Sequence, residues 1–124
     1  MAQAIEVRDD ELLGLVGKVD VPMFDLHNIE EGLKVSHVLY NGTPLTEEEV
    51  AASVHLYRLF LAKHKADGMP KEFSIPSRVV DRAWHTHMCE TEQYANDCQQ
   101  YFGQIFHHRS GLCDAHPDLK RRAV

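Results

Sequence analysis

Ser77-Arg78-Val79-Val80-Asp81-Arg82-Ala83-Trp84-His85-Thr86-His87-Met88-Cys89-Glu90-Thr91 is the stretch on which the fold turns. Ser77 follows Pro76 and has the side chain of a helix N-cap, and Val80, Trp84 and His87 then recur at steps of four and three, one face of a helix. After it, Tyr94, Cys98, Tyr101 and Ile105 repeat at four, three and four on a further segment. Between the two, Glu90-Thr91-Glu92 reads as a fresh helix start, with Thr91 as cap and acids in the first turn. The expectation is therefore two helices with a break near Met88 to Glu90.

Working outward, Leu45-Thr46-Glu47-Glu48-Glu49 carries the clearest helix start upstream. Thr46 and Glu49 form a capping box, in which each side chain satisfies the other residue's backbone N–H, and Leu45 can staple onto Val50. Val50, Val54, Tyr57 and Leu61, widened by Ser53 and Phe60, trace the buried face to about Lys65, where Gly68 and Pro70 close the helix. Before it, Asn41-Gly42-Thr43-Pro44 is a strong turn signal. Pro22 opens a segment with Leu26, Ile29, Leu33, His37 and Tyr40 in helical register. Residues 9–17 predict a short helix capped by Asp9 or Asp10, with Leu12, Leu13 and Val16 as its apolar face and Gly17 as its end. The loop up to Pro76 reads as irregular, anchored by Phe73 and Ile75, and residues 109–124 as a loosely ordered tail. The fold class is all-α: one compact domain over residues 1–124, of four to six helices.

Bulk properties bound the function. A chain of 124 residues is the size of one domain with a core of its own. A formal net charge of -6 argues against nucleic acid as a partner, since the only basic cluster is Lys120-Arg121-Arg122. Asp9, Asp10 and Glu11 interrupt any signal-peptide core, and no apolar run approaches the roughly 20 residues that span a bilayer. Three cysteines make no disulfide framework. The expectation is a soluble cytoplasmic protein with reduced thiols, no membrane partner and no nucleotide cofactor.

Histidine is the compositional outlier, and four of the nine, His85, His87, His107 and His108, fall in thirty residues with the single tryptophan. In an unbroken helix His85 and His87 point about 200° apart, because each residue advances about 100°. An opened last turn would let them converge, so the break decides whether they share a ligand. Asp81, one turn before His85, is placed to accept its ring N–H. His107 and His108 would complete a site if the chain end folds back. Imidazole with carboxylate suits Zn or Fe, a divalent transition metal, better than Mg. Cys98, flanked by apolar neighbours, reads as buried and inert. Trp84 reads first as a core anchor. His37, His55 and His64 read as ordinary helix residues, and His27 and His116 as solvated.

The spacing Asp81-x-x-Trp84-His85-x-His87, then Tyr94, Asp97-Cys98 and Phe102-Gly103, resembles the core of the plant glycine-rich domain-containing proteins and their short bacterial relatives. The resemblance covers about residues 40–108. It implies a helical core around the Trp-His-x-His turn and hands over no reaction; the long glycine-rich portions of the plant proteins have no counterpart here, so no RNA role is implied. Two functional readings stand. In one, His85, His87, Asp81, His107 and His108 hold Zn or Fe in a metal-dependent enzyme or accessory factor. In the other, the turn is structural, and the chain is a non-catalytic module that binds another protein or self-associates.

Overall fold

The computed structural model describes residues 5–35, 45–69 and 74–106. Within them lie five helices, α1 (Asp9–Leu13), α2 (His27–Val35), α3 (Glu47–Ala66), α4 (Arg78–Cys89) and α5 (Thr91–Phe102), and two three-residue strands, β1 (Ile5–Val7) and β2 (Ser74–Pro76). The domain is all-α with a minimal sheet attached.

The long helix α3 is the centre of the packing. Its capping box forms: Thr46 Oγ1 accepts from the Glu49 backbone at 3.1 Å, and Glu49 Oε1 accepts from the Thr46 backbone at 3.0 Å. All six positions expected on its inner face are buried, and so are the four consecutive residues Leu59, Phe60, Leu61 and Ala62. Four successive positions sweep about 300° of the circumference, so this part of α3 is enclosed on every side rather than amphipathic. Its end is a Schellman motif. The Gly68 N–H reaches Lys65 O at 3.1 Å and the Met69 N–H reaches His64 O at 2.9 Å, with Gly68 at φ +80°. Around α3 pack Leu12 of α1, Ile29 and Leu33 of α2, Val80, Ala83 and Trp84 of α4, and Tyr94 and Cys98 of α5.

Several expectations are corrected. The first helix stops at Leu13, with Arg8 rather than Asp9 or Asp10 as N-cap. Leu12 is fully buried, but Leu13 and Val16 are about half exposed, at 52% and 55%. A five-residue helix has little more than one turn, so only one apolar position can face inward. Residues 74–76 are not irregular: they pair in parallel with β1, Ile5 to Ser74 and Val7 to Pro76. In that pleat Ser74 faces the core and Ile75 faces out, so Ile75 is no anchor. Helix α2 turns the expected Ile29 and Leu33 inward, Leu26 is buried just before it, and Asp25 Oδ1 accepts the His27 N–H at 2.8 Å. The continuation through His37 and Tyr40, the turn at 41–44, Phe73, Pro70 and the tail from 107 lie outside the described residues.

The break between α4 and α5 falls at Glu90, which ends one helix and caps the next. Thr91, expected as the cap, is the first helical residue instead. Gly103, left-handed at φ +75°, ends α5 and turns the chain so that Phe106 returns to the core.

Candidate functional site: the Trp84–His87 corner

Each residue of Trp84-His85-Thr86-His87 has a different surrounding, as four successive positions on a helix must. Trp84 is 2% exposed, with Phe60 tilted against it at 5.0 Å and Phe106 stacked on it at 4.9 Å. Its indole N–H donates to the Tyr94 hydroxyl at 2.9 Å, and that hydroxyl donates to the carbonyl of Phe106. One relay thus ties α4, α5 and the returning segment. Thr86 donates to Arg82 O at 2.8 Å, and its methyl lies where α2 approaches: a Cβ on Gly32 would come within 3.0 Å of it.

His87 is the polar centre of the corner, 1% exposed. Its Nδ1 lies 2.7 Å from the Tyr57 hydroxyl on α3, and its Nε2 lies 2.8 Å from Asp97 Oδ2 on α5. A carboxylate can only accept, so Nε2 carries the proton and donates to Asp97, and Nδ1 accepts from Tyr57. Burial pushes the imidazole pKa below its ordinary value, against the raising effect of the Asp97 hydrogen bond. The ring is therefore neutral, with both nitrogens in use. Tyr94 meets it edge-on at 4.9 Å, and Phe24 covers it at 5.5 Å. Phe24 is itself held by Arg58, whose guanidinium donates to Pro22 O at 2.6 Å and Phe24 O at 3.0 Å.

His85, one position before Thr86, is on the exposed side of α4, with Nε2 3.5 Å from Asp81 Oδ2. The pairing expected at i,i+4 is present. The convergence with His87 is not, because α4 stays regular through Cys89 and keeps the two rings on opposite sides. His107 and His108 lie outside the described residues. Among the described residues no three His, Cys, Asp or Glu side chains are grouped so as to hold a metal ion. Drawing His87 into a metal site would strip one of its two ring nitrogens from its present partner, Tyr57 on Nδ1 or Asp97 on Nε2. Cys98 is buried, as expected, and burial raises its thiol pKa, which works against the thiolate a metal needs.

Two residues had drawn no chemical role from the sequence. Asp97 is the carboxylate partner of a histidine, but of His87 across the helix break. Its only signal was position: Trp84 to Tyr94 and His87 to Asp97 both span ten residues around Glu90. His64, read as ordinary, is 4% exposed and bridges α3 to β2. Its Nδ1 donates to Phe60 O at 2.9 Å, leaving Nε2 to accept from Ser74 Oγ at 2.7 Å.

A family model described as UCP032817-like matches residues 26–117, most of the chain, and the chain belongs to that family. No curated protein and no solved structure matches it. This corrects the resemblance to glycine-rich domain proteins, which nothing in these matches supports. Five of the residues that carried it, Trp84, His87, Tyr94, Asp97 and Cys98, are buried where a helix corner closes, and a short packing pattern does not by itself identify a family.

Proposed function

We propose that this member of the UCP032817-like family is a non-catalytic helical module, acting by contact with another protein or with itself, in which the Trp-His-x-His turn is structural. One observation carries the reading: His87, the most buried of the candidate ligands among the described residues, has both ring nitrogens committed to Tyr57 and Asp97. A group already satisfied on both sides and shut from water serves to hold α3, α4 and α5 together. In the same reading the protein works in the cytoplasm with its thiols reduced.

The metal reading keeps one supporting observation, the exposed His85–Asp81 pair at 3.5 Å. A Zn or Fe ion there would take His85, with Asp81 in contact or behind it and His107 or His108 completing the set. Elemental analysis of protein purified without an affinity tag separates the two. The structural reading expects substoichiometric metal, unchanged in His85→Ala, and thermal stability unaffected by a chelator. Stoichiometric zinc or iron that disappears in His85→Ala overturns it.

A further inference from the structure

A cleft of about 290 Å³ opens where the segment after α1, the last turn of α3 and Tyr101 of α5 meet. Its rim carries Lys18 and Lys65, and small side chains, Val19, Ala62 and Ala66, leave the room between them. The two lysines stand out in a chain of formal net charge -6. Lys34 is paired with Glu31 and Glu47, at 3.1 and 3.5 Å, and Lys63 with Asp67 at 2.6 Å. Lys18 and Lys65 are, among the described residues, the two lysines with no carboxylate partner, and both line this cleft.

The geometry holds one of the charges in place. The Lys65 ammonium lies 4.3 Å from the centre of the Tyr101 ring, a cation–π contact that leaves its hydrogens for an acceptor. The ring is fixed in turn by its hydroxyl, which donates to the Asp20 backbone carbonyl. Lys65, like Lys63, suits the negative end of α3. Lys18 belongs to no helix and has no such explanation. We infer that this cleft binds a small organic anion, a carboxylate or phosphate monoester with one anionic group and a short apolar body. The size sets the limit, since pockets for drug-sized ligands start at about 300 Å³. The Asp20 carboxylate on the rim disfavours a second anionic group.

Phenyl phosphate and benzoate are the probes, each titrated into the full chain with backbone amide shifts followed by NMR and inorganic phosphate run in parallel. Saturable shifts are expected at Lys18, Val19, Lys65, Ala66 and Tyr101. The double variant Lys18→Gln, Lys65→Gln changes only exposed side chains and should weaken binding about tenfold, with an unchanged circular dichroism spectrum, while Asp20→Asn tightens it. Whichever of phenyl phosphate and benzoate binds more tightly names the anionic group. Equal affinity of the folded double variant and the parent, or shifts centred elsewhere, overturns the inference. Inorganic phosphate binding as tightly as phenyl phosphate overturns the apolar part of the ligand.

Discussion

At the scale of the residue, the corner is a chain of three side chains, Tyr57–His87–Asp97, that outwardly resembles an acid–base relay. On the structural reading proposed above, burial disfavours that use. Burial raises the Tyr57 pKa well above its ordinary value, and lowers that of His87, so neither ionises readily, and Phe24 closes the approach. The chain of three supplies mutual satisfaction instead. Tyr57→Phe removes the hydroxyl that serves Nδ1 and leaves a buried acceptor unmet, which costs about 1–3 kcal/mol. His87→Leu with Tyr57→Phe replaces both partners by apolar groups, so the pair should lose less than the sum of the two single changes. A double-mutant cycle in denaturant should give a coupling of about 0.5–3 kcal/mol. Strict additivity would mean that the 2.7 Å contact contributes nothing and that the structural reading of His87 lacks its support.

At the scale of the element, the inner face of α5 is completed by Phe106, a residue beyond the helix and outside its period. Ile105, placed by periodicity on that face, is 38% exposed, because Gly103 breaks the register two residues earlier. Phe106 takes its place, against Trp84 and 4.6 Å from the His64 ring. Phe106→Ala should therefore lower stability by less than the roughly 3–5 kcal/mol of a fully buried aromatic, since Phe106 is only half-buried. It should also shift the emission of the single tryptophan toward that of a solvated indole. An unchanged spectrum would place Phe106 away from Trp84. The same elements show how much was legible in advance. The start of α3, the cap of α4 by Ser77, the break near Glu90 and the inward faces of α3 and α4 all obey local rules, a cap side chain or a period of about 3.6. Phe106 came after the pattern had ended, and β1 with β2 is a three-residue pairing across some seventy positions, too short to show alternation. Asp97 and His64 were visible only as residues on a helix; their bonding partners depend on how helices cross, which periodicity does not contain.

At the scale of the molecule, two neutral imidazoles are built into the framework, His87 among three helices and His64 between α3 and β2. Burial lowers the pKa of each below the ordinary value. The unfolded chain, whose histidines titrate near about 6.5, thus takes up protons before the folded chain does. Where the unfolded state binds more protons, stability rises with pH, so these two groups add stability above about pH 6.5 that is lost as pH falls from there toward their folded values. Below the folded values they contribute no further slope, and any loss there belongs to carboxylates. Thermal midpoints should accordingly be level near neutrality and fall on acidification from about pH 6.5. His64→Gln keeps an acceptor for Ser74 and removes one titrating ring, so its midpoint, lower at pH 7.5, should fall less steeply between about pH 6.5 and 5 than the parent's. An equal slope in parent and variant would show that His64 protonates as freely folded as unfolded. That outcome is incompatible with a ring 4% exposed that donates to Phe60 O and accepts from Ser74.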